Sequence, residues 1–299
     1  MVDKGVRQGG ILSPLLFKLY IDDIINEISN MDVGCKFGVV RLNILAYADD
    51  FVLMASSRSA LSKLYEALLE KTRVKKLNIN KEKSQCMIFG KNVRNDLEDG
   101  VIILNDRFQM VTQYKYLGHI IHSSLLDNLD IEYRLNMFYA KFNWVFRNFR
   151  GLSVETFFYL FNAYCLPDYG MSLWNLGIIF NKQNVLAFEI AYSNALKKMR
   201  GVPINTSSHL VANEQSQFLL NHHVLYNETR YFKRVVNSTN VLLKSVLFQI
   251  KEGVLFKSLE RRLYDFYEVD FISNDLSILR SRITWVQRHE PVTGRPLNV

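Results

Sequence analysis

Leu42-Asn43-Ile44-Leu45-Ala46-Tyr47-Ala48-Asp49-Asp50-Phe51-Val52-Leu53-Met54 is an apolar run rich in strand formers, broken at its centre by adjacent carboxylates. The run resumes after the pair without a helical period. This pattern predicts two short strands joined by a tight turn, with Asp49 and Asp50 at or beside the turn. Neighbouring carboxylates repel, so a fold that holds them together usually supplies a cation. A solvated Asp-Asp turn between two strands has the same sequence signature, because Asp is a common turn residue.

The chain has 299 residues, enough for one large domain or two ordinary ones with a real core. Its formal charge of +8 favours a polyanionic partner such as nucleic acid. Cys35, Cys86 and Cys165 stand singly, with no disulfide framework or metal-type spacing, as in a reducing compartment. No stretch is long and apolar enough for a membrane span, and no signal-peptide core follows Met1. The expectation is a soluble intracellular protein, nuclear or cytoplasmic, without a membrane or an evident protein partner.

Gly5-Val6-Arg7-Gln8-Gly9-Gly10 forms a glycine-rich loop before a helix expected over 13–29. Ser13 suits its N-cap and Pro14 its first position, with Leu15, Leu16, Leu19 and Ile24 toward the core. A second amphipathic helix is predicted over 59–75, with Leu61, Leu64, Tyr65, Leu68 and Leu69 on one face. Residues 84–89, 101–104 and 114–122 read as strands, with 92–100 as a polar connection. Beyond about residue 123 helical patterns dominate, at 129–149, 154–164, 182–199 and, more weakly, 224–251. The stretch from 289 to 296 reads as a loose tail.

The fold class expected is therefore α+β, with a mixed part followed by an all-helical part. This reading places one boundary, near residue 123.

Four segments then occur in a fixed order. They are Gly5-Val6-Arg7-Gln8-Gly9 with Leu12-Ser13-Pro14-Leu15-Leu16-Phe17, then Ala46-Tyr47-Ala48-Asp49-Asp50. Leu77-Asn78-Ile79-Asn80-Lys81-Glu82-Lys83-Ser84 comes next, and Tyr114-Lys115-Tyr116-Leu117-Gly118 last. Together they resemble the later palm motifs of reverse transcriptases, specifically those of non-LTR (LINE-type) retrotransposons. The segment from Phe161 to Trp174 resembles, less sharply, the helical segment that follows the palm in those elements.

The resemblance implies a partial polymerase palm over 1–123, a thumb-like helical domain over 124–205 and a helical C-terminal region of unknown role over 206–299. It makes Asp49 a direct Mg²⁺ ligand, Asp50 a supporting carboxylate and Tyr47 a neighbour of the primer end. Gln8 and Gly9 would lie beside the incoming nucleotide and template, where backbone must approach closely. Lys83 would sit near the pyrophosphate, and Tyr116, Leu117 and Gly118 would support the primer. Arg134, Lys141 and Arg147, at helical spacing, would contact phosphates of a duplex. The implied partners are an RNA template, a DNA primer and deoxynucleotides.

Plainer readings accompany each assignment. The glycine loop serves any helix start, Lys83 any solvated surface, and 114–122 any edge hairpin. Tyr133, Phe138, Tyr139, Phe142, Trp144, Phe146 and Phe149 are expected mainly as core.

The family's other metal-binding carboxylate lies on an earlier strand, upstream of Gly5. The expectation is a protein truncated before that residue and inactive alone. The alternative is a retroelement-derived nucleic-acid-binding or scaffolding protein without catalysis.

Overall fold

The computed structural model describes residues 7, 9–37, 40–90, 100–166, 182–214, 217–240, 242–243 and 276–289. Gln8, most of the polar connection, residues 167–181 and the tail beyond 289 lie outside the described residues. The fold is α+β and divides into two compact units, Met1–Thr112 and Gln113–Val299.

The first unit opens with helix α1 (Ser13–Asn30), followed by hairpin β1 (Cys35–Phe37) and β2 (Val40–Leu42). A second hairpin, β3 (Ile44–Tyr47) and β4 (Asp50–Leu53), leads into helix α2 (Arg58–Val74). Ser57 caps α2 by accepting from the Ala60 N–H. Strand β5 (Gln85–Cys86) pairs parallel with β7 (Asp106–Met110), which pairs antiparallel with β6 (Val101–Ile103). The sequence reading had missed β1, β2 and β7. Strands β1 and β2 are three residues each, too short for the alternation to stand out, whereas Arg107-Phe108-Gln109-Met110 of β7 does alternate polar and apolar.

Ile24 and Ile28 of α1, Leu64 and Leu68 of α2, and Ile44 of β3 form a buried cluster joined by Phe51 and Leu53 of β4. Glu27–Lys71 and Asp23–Lys75 ion pairs, at 2.8 and 2.7 Å, tie α1 to α2 along its rim. The start of α1 departs from expectation. Leu12 stands at the N-cap, and Ser13, already helical, donates its hydroxyl to the Arg7 carbonyl at 2.6 Å. Leu15, Leu16 and Leu19 are exposed, whereas Ile21, Ile24 and Ile28 are buried. At about 100° per residue these sets lie on nearly opposite faces. Helix α1 thus has two apolar stripes, and the hairpin and α2 cover only the second.

Asn43, between β2 and β3, is 1% exposed and donates through Nδ2 to the carbonyls of Ile28 (3.0 Å) and Met31 (2.9 Å). It satisfies carbonyls that the end of α1 leaves unpaired and fastens the β3–β4 hairpin to that helix. Replacing Asn43 by Ala is expected to cost about 1–3 kcal/mol, because buried carbonyls lose their donor. Urea unfolding of the two proteins measures this.

The second unit begins with hairpin β8 (Gln113–Tyr116) and β9 (His119–His122). Helices α3 (Asn128–Asn148), α4 (Val154–Tyr164), α5 (Lys182–Arg200), α6 (Ser208–Glu214), α7 (Leu220–Val236) and α8 (Leu276–His289) follow. Phe138 and Phe142 of α3, Phe161 of α4, and Phe188 and Tyr192 of α5 make an aromatic core. Phe138 and Phe188 have ring centroids 5.4 Å apart. A smaller cluster joins Leu225 and Phe232 of α7 to Leu279 and Ile283 of α8.

Candidate active-site hairpin and nucleic-acid interface

Strands β3 and β4 pair from Ile44↔Leu53 to Tyr47↔Asp50, leaving Ala48 and Asp49 as a two-residue turn. Side chains alternate across the two faces. Ile44, Phe51 and Leu53 face the α1–α2 cluster, while Leu45, Tyr47 and Asp50 are exposed on the other side. Ala48 has φ +52°, a left-handed conformation that costs a residue with a Cβ about 1 kcal/mol. The first position of a II′ hairpin turn requires such a positive φ, and here alanine takes the place usually filled by glycine. The turn therefore departs from the strand geometry that would send Asp49 and Asp50 to opposite faces.

Both carboxylates are exposed, and neither forms a hydrogen bond or ion pair among the described residues. Two adjacent anionic oxygen donors on a hairpin fastened at its base suit a hard divalent cation. They make part of a coordination set. Among the described residues no group of three or more His, Cys, Asp or Glu side chains converges as a metal site.

Gly9 has φ +78° and lies in a turn where the Gly10 N–H donates to the Arg7 carbonyl at 3.1 Å. A Cβ added at Gly9 would meet open space, so its backbone conformation, not crowding within the chain, calls for glycine.

Lys83 is exposed, at the end of a loop braced at several points. The Lys83 N–H donates to Asn80 Oδ1 at 3.1 Å, and Ser84 Oγ donates to the Asn80 carbonyl at 2.8 Å. Lys81 and the Tyr65 hydroxyl both reach Asp106 at 2.6 Å. These two contacts, Lys81 first, hold the Asp106 carboxyl below its ordinary range. Burial, and then Asp106, push the Tyr65 phenol up.

In the second unit, Leu117 and Gly118 form the β8–β9 turn with φ +47° and +83°. Two successive positive values mark the I′ arrangement, which matches the twist of paired strands. Gly118 suits it; Leu117 adopts it at a cost.

Arg134 is not the surface cation that its helical spacing suggested. It is 7% exposed, and its guanidinium donates to Asp130 (2.7 and 3.2 Å) and to the Gly118 carbonyl (3.0 Å). The sequence did carry a clue, since Asp130 stands four residues before Arg134, on the same helix face. Lys141 and Arg147 are exposed. Of the α3 aromatics, Phe138 and Phe142 are buried as expected, but Tyr139 (45%) and Trp144 (58%) lie at the surface. Lys115 lies 2.9 Å from the Tyr133 hydroxyl and 4.4 Å over its ring. The run Lys197-Lys198-Met199-Arg200 is internally engaged. Lys197 donates to the Ile204 carbonyl, Lys198 sits over Phe146 and Arg200 pairs with Glu214.

His119 lies 3.1 Å from Asp130 and 3.4 Å from Asp127. Asp127 and then Asp130 raise its imidazole to about 9 from an ordinary 6.5. A raised folded-state value gives stability that is full below about pH 6.5 and is lost as pH rises through about 9. Unfolding free energy should therefore fall by roughly 2 kcal/mol between those limits. Urea titrations across the range test this, and His119→Gln should flatten the profile.

The profile of the family described as reverse transcriptase (RNA-dependent DNA polymerase) matches residues 1–121. The chain is 36% identical over 87 residues to a retrovirus-related Pol polyprotein from type-2 retrotransposable element R2DM of Drosophila melanogaster, covering 29% of this chain and 8% of that protein. It is 25% identical over 213 residues to the RNA-directed DNA polymerase from mobile element jockey of Drosophila funebris, covering 68% of this chain and 22% of the relative. A Pol polyprotein from a type-1 retrotransposable element R2 of Nasonia vitripennis is 40% identical over 58 residues, 19% of this chain and 6% of its own length. The chain thus spans less than a quarter of the length of each of these relatives. No helix among the described residues is long and apolar enough to cross a membrane. Residues 1–121 thus match the reverse transcriptase family, and the chain is similar in part to polyproteins and a polymerase of retrotransposable and mobile elements.

Proposed function

We propose that the chain takes part in RNA-directed DNA synthesis, with the β3–β4 hairpin as its metal-holding element. The observation that carries this reading is the pair of exposed, unpartnered carboxylates at the tip of a buried-base hairpin, within the matched segment. Asp49, in the turn, is the direct Mg²⁺ ligand, and Asp50, opposite Tyr47, supports it. A divalent cation held there would supply Lewis-acid activation of the primer hydroxyl and charge neutralisation of the departing pyrophosphate.

The remaining side chains orient the reactants. Tyr47, exposed beside Asp50, borders the primer terminus. Gln8 and Gly9 lie along the nucleotide and template, where Gly9 offers backbone without a Cβ. Lys83, presented by the Asp106-braced loop, stabilises charge on the pyrophosphate or gives it a proton. Tyr116, Leu117 and Gly118 support the primer strand. Lys141 and Arg147 neutralise duplex phosphates, and the ligands are an RNA template, a DNA primer and deoxynucleotides.

One observation favours a second reading, nucleic-acid binding without catalysis. The described residues bring no third ligating side chain to Asp49 and Asp50. Mg²⁺-dependent extension of a DNA primer on an RNA template, lost in Asp49→Ala, supports the first. Salt-sensitive binding with no extension supports the second.

Both readings share one expectation. Lys141→Ala with Arg147→Ala should weaken primer–template binding roughly tenfold and lower the slope of log K against log salt by about 2. Fluorescence anisotropy over a salt series measures both. An unchanged slope removes these residues from the interface.

A further inference from the structure

An isolated two-stranded hairpin is marginal in water and has no fixed direction of its own. The β8–β9 pair is such a sheet, with no third strand among the described residues. Something outside it must set where its turn points.

The contacts that do so come from one short stretch of chain. Three consecutive residues at and after the turn are each held from the beginning of α3. The Gly118 carbonyl accepts from Arg134 Nη2 at 3.0 Å. The His119 ring lies between Asp127 and Asp130. The Ile120 N–H donates to Asp130 Oδ1 at 3.0 Å. Asp127 is the N-cap of α3, and Asp130 and Arg134, four residues apart, share one face of the helix.

Asp130 is the centre of this arrangement and is fully buried. A buried carboxylate is costly unless charge and hydrogen bonds compensate it. Here two Arg134 nitrogens, the His119 ring and a backbone N–H surround it. Compensation this complete also specifies direction. Turning the hairpin away from α3 would strip the carboxylate of its N–H donor and the guanidinium of its carbonyl acceptor together.

We infer that Asp130, with Arg134 and His119, is a positioning cluster that welds the Tyr116–Leu117–Gly118 turn to α3, so that primer support and duplex contact move as one lever. Lys141 and Arg147 lie about 10 and 20 Å further along the same helix from Arg134. Whatever tilts α3 on a duplex therefore tilts the turn with it. The inference rests on the proposed reading in which the turn supports a primer strand and α3 touches the duplex.

The test uses the full chain, with Asp130→Asn, Arg134→Gln, Arg134→Lys and His119→Gln. One readout is hydrogen exchange at the Ile120 amide. The other is the ratio of affinities for a recessed-3′ primer–template and a blunt duplex of equal length. Circular dichroism melts identify variants that fail to fold. His119→Gln leaves the Asp130–Arg134 pair intact and serves as the milder variant if Asp130→Asn does.

Exchange at Ile120 should rise about 100-fold in Asp130→Asn and about tenfold in His119→Gln. Preference for the recessed end should fall several-fold, with blunt-duplex affinity nearly unchanged. Arg134→Lys should restore part of what Arg134→Gln loses. A general loss of structure would weaken both ligands equally, which overturns the positioning role. Unchanged Ile120 exchange in the folded variants overturns the weld itself. If the unsubstituted chain shows no preference for a recessed end, the primer-support reading fails, and Ile120 exchange still decides the weld.

Discussion

Replacing Asp49 by Asn is expected to lower metal-dependent nucleotidyl transfer supported by this hairpin by about 10³-fold, with little change in folding. The substitution is nearly isosteric, and Asp49 is exposed, so no core contact is lost. What is lost is a carboxylate oxygen at a turn where two exposed carboxylates stand adjacent. A metal ligand contributes several kcal/mol to stabilising developing charge, and each 1.4 kcal/mol is a tenfold change in rate. Asp50→Asn should cost less, because Asp50 lies on strand β4 with its direction set by pairing to Tyr47. Primer extension, with Mg²⁺ and Mn²⁺ compared, separates the two. Equal losses would mean that the turn presents both acids alike.

The second large effect is on stability. Asp130→Asn is expected to destabilise the helical unit by about 3–5 kcal/mol, because it leaves the Arg134 guanidinium buried without its counter-charge. Arg134 is 7% exposed and cannot reach water without moving the β8–β9 turn that it also holds. Removing both charges together should hurt less. Asp130→Leu with Arg134→Met is expected to recover part of the loss, since an apolar pair of similar volume needs no compensation. Urea midpoints for the single and double variants test this. A double variant as unstable as the single one would show that the hairpin contacts, not the unpaired charge, dominate the cost.

The difference between Arg134 and Asp49 shows what the sequence could reveal. The Asp49 turn was legible because the whole signal is local. Strand formers flank a turn residue pair, and a two-residue hairpin follows. Helices α2, α3, α4 and α5 were equally legible, each within about a residue of its expected bounds at the ends given, because helical period is also local. Arg134 has the spacing of a surface cation, yet its environment comes from Gly118, across the β9 strand. Asn43 looks like one polar residue in an apolar run. Its importance appears only when the end of α1 is placed over it. Leu15 and Ile24 are equally apolar, and only the position of α2 and the hairpin decides which is covered. The clue to Asp130 was in plain view, as an acid four residues before a base, but such pairs usually stand in solvent and contribute little.

The strained turn also belongs to this distinction. Nothing in Tyr47-Ala48-Asp49-Asp50 announces a left-handed alanine, since glycine or asparagine would be the usual choice there. Its φ of +52° is fixed by the pairing of Tyr47 with Asp50 and by the buried side chains beneath. Backbone strain of this kind persists only where the surrounding structure imposes it. It sets the direction of the two exposed carboxylates, which in the proposed reading hold a divalent cation.

Paramagnetic broadening by Mn²⁺ reads cation binding at this turn with neither primer nor catalysis. In the ¹⁵N-labelled chain, substoichiometric Mn²⁺ should first broaden the amides of Tyr47, Ala48, Asp49 and Asp50, and Mg²⁺ should reverse the effect. Asp49→Asn should abolish it without shifting the resonances of α1 or α2. Broadening that begins elsewhere, or that survives Asp49→Asn unchanged, would show that this turn is not the cation site.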